Sequence, residues 1–146
     1  MALVRSATAV WKGTGLEGAG ALTTQSGVLA SQPYSFNTRF VSEDGKAGTN
    51  PEELVAAAHA GCFAMALSFG LAGAGHPAEE LRVDAKVEMG REGVHWFVAA
   101  IHLHLEARVP GIDDAKFQEV AESTKKTCPI SRALAAVPID LHAKLV

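Results

Sequence analysis

The order of elements legible along the chain predicts an α+β fold with antiparallel sheets, not a doubly wound parallel sheet. Three observations carry that prediction. Residues 5–11 and 34–41 are rich in β-branched, aromatic and small side chains, the composition of strands. Residues 54–75 run for 22 positions without Asp, Glu, Lys or Arg, enough for one long apolar helix. Residues 81–89 then alternate apolar and charged side chains, the period of a half-buried strand.

Each element has its own local justification. Residues 5–11 and 21–24 read as strand segments, and the four glycines between positions 13 and 20 mark the turn between them. Residues 34–41 read as a further strand, with Phe36, Thr38 and Phe40 on one face and Asn37, Arg39 and Val41 on the other. Residues 43–48 form a solvated loop. A helix then starts clearly. Asn50 is a good N-cap, Pro51 suits the first helical position, and Glu53 stands where it can complete a capping box. Glu52 lies in the first turn, where the helix dipole favours a carboxylate. The helix is expected to run to about Leu71 and to be ended by Gly73, Gly75 and Pro77.

In the next strand Leu81, Val83, Ala85, Val87 and Met89 face one way and Arg82, Asp84, Lys86 and Glu88 the other. Residues 90–93 turn the chain. Residues 94–109 return it, with Ile101, Leu103 and Leu105 inward and His102, His104 and Glu106 outward. Pro110 and Gly111 break that strand. Asp113 caps a second helix over residues 115–126, and Cys128-Pro129 opens a short third one through 136, with Cys128 at or near its N-cap. Residues 138–146 form a closing strand.

Composition narrows the function. A chain of 146 residues fits one domain, residues 1–146, and 48% hydrophobic with 20% charged residues supports a packed core. A net charge of -3 without a basic cluster argues against nucleic-acid binding. Two cysteines cannot staple a disulfide-rich secreted scaffold. Residues 1–10 hold one arginine and no continuous apolar block, so they do not read as a secretory signal, and the expected location is the cytoplasm. Residues 54–75 pass the length test for a membrane span. Eight alanines, four glycines, His59, Ser68 and the lack of a flanking basic cluster argue instead for a helix buried on most of its surface inside a soluble protein.

Few side chains carry chemistry. Cys62 lies midway along the apolar helix and reads either as a small core hydrophobe or as a nucleophilic thiol. Cys128 reads either as an unremarkable N-cap or as its resolving partner, passing Cys62 from sulfenic acid to a disulfide. A buried thiolate needs a cation, and the helix around Cys62 holds no Lys or Arg. Arg39, in an otherwise apolar and aromatic segment, is the best candidate, and the Glu52 carboxylate can hold its guanidinium through a bidentate contact. Each also has a plain reading: an outward-facing strand residue, and a first-turn dipole residue. Glu52 and Cys62 stand about 15 Å apart along one helix, so a shared site needs Glu52 from a second subunit or Arg39 spanning the gap. His59 shares a face with Cys62 and could act as a general base, making a Cys–His nucleophile, or as a metal ligand with Cys62 and Cys128. His102 and His104 read as a surface pair. A Cys–His acyl-transfer site and a non-catalytic apolar-ligand or redox-sensing module with structural cysteines remain alternatives.

At these residues the chain resembles a known family. The segment TNPEELVAAAHAGCFAMALS at residues 49–68 resembles the cysteine helix of the osmotically inducible protein C (OsmC) and organic hydroperoxide resistance family. PYSFNTRF at 33–40 resembles its arginine segment, and VPGID at 109–113 with CPIS at 128–131 resemble its C-terminal half. The His-Ala-Gly-Cys and Phe-Asn-Thr-Arg-Phe details resemble the OsmC branch.

The resemblance implies a thiol peroxidase, with Cys62 peroxidatic and Cys128 resolving. It implies that Arg39 stabilises the thiolate and orients the peroxide, and that Glu52 holds Arg39. It implies an OsmC-like α+β fold around a central cysteine-bearing helix, in a tightly interwoven homodimer with sites at the subunit interface. Organic hydroperoxides, and with them hydrogen peroxide, are the implied substrates, and dithiols of the dihydrolipoyl type the implied reductants, in defence against oxidative or osmotic stress. No metal, haem or flavin is implied, and neither nucleic acid nor membrane is an implied partner. Residues 44–47 and the histidine-rich strand at 95–104 depart from the family pattern and bear on substrate preference. Phe63, Met65 and Phe69 are candidates to contact an alkyl chain or to pack in the core.

Overall fold

The computed structural model describes the whole chain, Met1–Val146, and it divides into two compact units, Met1–Leu54 and Val55–Val146. In the first, strands β1 (Ala7–Lys12), β2 (Ala19–Thr24) and β3 (Gln32–Tyr34) form an antiparallel sheet in the order β1-β2-β3. Gly20 stands between Trp11 and Tyr34 in the ladder, and a Cβ there would lie 2.4 Å from the Tyr34 ring and 2.6 Å from the Trp11 indole. Only glycine leaves room for these two rings to meet across β2, with centroids 5.4 Å apart.

The strand expected over residues 34–41 is not formed. The chain leaves β3 at Tyr34 and makes one wide helical turn, Asn37–Val41, closed by the Ser42 N–H on the Asn37 carbonyl. The cause is local. The Ser35 N–H donates to the Thr38 hydroxyl at 3.0 Å, and that hydroxyl donates back to the Ser35 carbonyl at 3.1 Å. Such side-chain bonds offer the backbone an alternative to a ladder. The turn also brings Phe36 and Phe40 together, centroids 5.1 Å apart, at the i,i+4 spacing of a helix.

Helix α1 (Pro51–Gly73) begins in the first unit and continues through the second. Asn50 caps it as expected, its side-chain oxygen accepting the Glu53 N–H at 2.8 Å. The Glu53 carboxylate accepts from the Thr49 hydroxyl at 2.7 Å, a variation on the expected capping box. At the other end Gly75, with φ +84°, lets the His76 N–H reach the Leu71 carbonyl and its own N–H reach that of Ala72. This pair of bonds closes the helix in a Schellman motif.

In the second unit β4 (Glu80–Glu92) and β5 (His95–Arg108) form the expected hairpin, turning on Gly93 and Val94. Helix α2 (Asp114–Thr127), capped by Asp113, and the short α3 (Pro129–Ala133) follow, and β6 (Ile139–Leu145) closes the sheet in the order β4-β5-β6. β6 runs parallel to β5, the one departure from antiparallel pairing. Two helices carry the chain back along the sheet before β6 begins, and such a crossover delivers a parallel neighbour.

The expected alternation of β5 holds: Ile101, Leu103, Leu105 and Ala107 are buried and His104, Glu106 and Arg108 exposed. The buried face meets Phe117 and Ala121 of α2 and Phe63, Leu67 and Leu71 of α1 in one core. Gly70 of α1 stands close to α2, where a Cβ would meet Val120 at 3.2 Å. α1 is not buried on most of its surface within this chain. His59, Phe63, Leu67 and Leu71, one stripe at four-residue spacing, are its buried positions, while Met65 and Phe69 are 66% and 73% exposed. By length and composition α1 is also apolar enough to cross a membrane. Its hydrophobicity is therefore all-round, but its cover is one-sided.

Candidate active site

Two clusters of functional side chains form, one in each unit. In Val55–Val146 the sulfur of Cys62, on α1, and that of Cys128, between α2 and α3, share a hydrogen bond at 3.0 Å, although the residues are 66 positions apart. Both are free thiols, Cys128 fully buried and Cys62 partly. The turn that ends α2 sets this geometry: the Cys128 N–H bonds to the Thr124 carbonyl, and Pro129 opens α3 directly afterwards.

The two sulfurs titrate as a pair. Burial pushes the Cys62 thiol up, and the hydrogen bond and charge of Cys128 push it further, against a smaller opposing pull from the Ile130 N–H. Burial also raises Cys128, but hydrogen bonds from Cys62, from the N–H and hydroxyl of Ser131 and from the Ile130 N–H outweigh it and hold Cys128 below the ordinary cysteine range. Within this unit, therefore, the donors favour negative charge on Cys128.

His59 lies one turn before Cys62 and is fully buried. Its Nε2 is 2.7 Å from the Ser131 hydroxyl and its Nδ1 has no partner. Burial holds the imidazole below its ordinary range, so it is neutral at pH 7. The sequence places His59 correctly beside Cys62 on one helix but does not reveal Ser131 as its partner. A signal was present: Ser131 follows Cys128 by three residues at a helix start, the spacing at which a side chain and N–H turn back on an N-cap.

In Met1–Leu54 the structure joins Arg39 and Glu52 within one chain. Arg39 Nε is 3.1 Å from both carboxylate oxygens and Nη2 is 2.6 Å from Oε1, a forked contact. The guanidinium also lies over the Phe40 ring, 4.8 Å from its centroid. Glu52 is fixed there by the first turn of α1. Asn50, which caps that turn, donates through its side chain to the Thr38 carbonyl at 3.3 Å and so ties the arginine's turn to the helix start. A cavity of about 400 Å³ opens beside Arg39, lined by Trp11, Leu16, Tyr34, Phe36 and Phe40. Of the three apolar residues singled out near Cys62, Phe63 is core, while Met65 and Phe69 are exposed.

The outward histidines of β5 form a separate surface group. His102 lies between Asp140 at 2.6 Å and Glu88 at 3.1 Å, contacts that raise its pKa, and His104 stacks on His142 with centroids 5.2 Å apart.

The chain is similar to known proteins in sequence and in fold. The sequence model of the family described as "OsmC-like protein" matches residues 43–142. The chain is 41% identical over 145 residues to Peroxiredoxin OsmC of Escherichia coli, covering 99% of both chains. It is 31% identical over 122 residues to the organic hydroperoxide resistance protein OhrB of Bacillus subtilis, covering 79% of this chain and 81% of that one. A crystal structure of an OsmC-like protein from Mycoplasma pneumoniae superposes with a TM-score of 0.76 at 14% identity, covering 100% of this chain and 99% of the other, which is a likeness of fold.

Proposed function

Because the chain belongs to the OsmC-like family, we propose that it is a cysteine-based peroxidase that reduces organic hydroperoxides, with residues 1–146 acting as one domain. The observation that carries this reading is the 3.0 Å approach of Cys62 and Cys128. Two free thiols at that distance are ready to close a disulfide as soon as one of them is oxidised.

Cys62, the more accessible sulfur, attacks the terminal peroxide oxygen as a thiolate. The O–O bond breaks, the alcohol leaves and Cys62 becomes sulfenic acid. Cys128 then displaces the hydroxyl to form the Cys62–Cys128 disulfide, and an external dithiol of the dihydrolipoyl type restores both thiols by exchange. Since the donors around the pair favour charge on Cys128, Cys62 needs a cation to carry it instead. Arg39 is that cation in this reading, held in orientation by Glu52 and also stabilising charge on the departing oxygen. The aromatic cavity beside Arg39 favours an organic hydroperoxide over hydrogen peroxide.

The open apolar face of α1, with Ala57, Gly61, Met65 and Phe69, supports a homodimer in which a second copy covers it. The protein acts in the cytoplasm against oxidative or osmotic stress. A steady-state assay tests the reading: peroxide consumption with dihydrolipoamide, thioredoxin or glutathione, for wild type, Cys62→Ser and Cys128→Ser. Cys62→Ser is expected to lose at least about a thousandfold in rate. Cys128→Ser is expected to consume about one equivalent and stall. Equal rates for wild type and Cys62→Ser would contradict the assignment, and slow thiol oxidation with tight hydrophobe binding would favour a binding module.

A further inference from the structure

His59 and Ser131 have no part in the cycle as written, yet both are buried and they touch each other. The imidazole's two nitrogens have unlike surroundings: Nε2 meets the Ser131 hydroxyl at 2.7 Å, and Nδ1 meets nothing polar. A buried N–H without an acceptor is rarer and costlier than a bare ring nitrogen. The ring proton therefore belongs on Nε2, and His59 donates to Ser131. Once its oxygen accepts that bond, the hydroxyl's own proton is free for the sulfur of Cys128, which stands three residues earlier at the N-cap of the same helix. A chain of donors thus runs from α1 through α3 to Cys128 and ends 3.0 Å from Cys62.

We propose that His59 and Ser131 are positioning residues of the second half-reaction: the imidazole orients the Ser131 hydroxyl, and the hydroxyl holds Cys128 as the nucleophile that closes the disulfide. The inference rests on the peroxidase reading above. Attack of the Cys62 thiolate on the peroxide forms an S–O bond, breaks the O–O bond and releases an alkoxide, which takes the Cys128 proton and leaves as the alcohol. The Cys128 thiolate, now accepting from Ser131, attacks the Cys62 sulfenic sulfur. The S–S bond forms, the S–O bond breaks, and hydroxide leaves and is protonated by solvent. Both electrons that reduce the peroxide come from the two sulfurs, and no other reductant enters this half. The titratable groups that act on Cys128 are Cys62 and, through Ser131, His59, both from α1, while Lys125 and Lys126 of α2 and Arg132 of α3 line the surface hollow that Ser131 also borders.

Rapid-quench single turnover of the full chain with cumene hydroperoxide separates the two steps, with Cys62 sulfenic acid trapped by dimedone and the disulfide followed by mass. Ser131→Ala and His59→Leu are expected to oxidise Cys62 at least as fast as wild type, because with that donor lost less of the shared charge is held on Cys128. Both are expected to close the disulfide about ten- to a hundredfold more slowly, the effect of losing a hydrogen bond to a charged sulfur. The pH midpoint of closure should rise by about one unit or more in both variants. His59→Gln, whose amide N–H replaces Nε2–H, should restore rate and midpoint. If Ser131→Ala does not fold, the two His59 variants decide the question. Unchanged closure in the variants, or slower closure with an unmoved midpoint and no rescue by glutamine, overturns the inference. A wild type whose Cys62 is not oxidised at all overturns the peroxidase reading first, and this inference with it.

Discussion

The two three-stranded sheets are alike in size and unlike in cover. β5 lays Ile101, Leu103, Leu105 and Ala107 against Phe63, Leu67 and Phe117, all at most 1% exposed. All six residues of β1 are exposed, Val10 at 50%. The difference divides the chemistry. The second unit holds its sulfur pair in a dense core that fixes the distance between them. The first holds its arginine through local hydrogen bonds, on a turn beside an open cavity.

The largest expected effect follows from that contrast. Phe117→Ala should lose about 3–5 kcal/mol of unfolding free energy in a denaturant titration, since it empties the core beneath β5. Val10→Ala should stay within about 0.5 kcal/mol. Comparable losses at the two positions would erase the difference between the sheets.

Next comes the charged fork. Arg39→Lys keeps the cation but loses the planar double contact with Glu52, and should slow Cys62 oxidation about ten- to a hundredfold. Because the pair is partly solvated, stability should fall by no more than about 1 kcal/mol. An unchanged oxidation rate would sharpen the comparison differently, by placing all the chemistry in the second unit.

The smallest effect is a pH dependence. Burial depresses the folded-state pKa of His59, so between that value and the unfolded value near 6.5 the unfolded chain binds more protons. Stability from this group is therefore undiminished above pH 6.5 and falls as the pH drops below it. Thermal midpoints of wild type and His59→Gln should diverge on acidification, with the wild type losing more. Parallel curves would show that His59 is not held neutral.

The same contrast explains what was legible in the sequence. The hairpin β4–β5 reads correctly because one face is buried and the other wet, which writes the period into the residues. The start of α1 reads correctly because Asn50, Pro51 and Glu52 act within one turn. Residues 34–41 mislead because β-propensity reports packing against a covered face, and here Ser35 and Thr38 bond each other first. The parallel placing of β6 is a product of the helical crossover, which no local pattern encodes. Among the candidate residues, reactivity and charge singled out the two cysteines and the Arg39–Glu52 contact only beside plain readings, and the resemblance to the family supplied the roles proposed for them. Its spacing from Cys128 could have flagged Ser131, but nothing local shows its contact with a buried imidazole 72 positions away.

The most direct test is to treat the reduced full chain with one equivalent of cumene hydroperoxide and map its thiols by peptide mass spectrometry. The account predicts loss of both free thiols and a Cys62–Cys128 crosslink within one chain. Two thiols still free after the peroxide is consumed, or a disulfide that joins two chains, would contradict it.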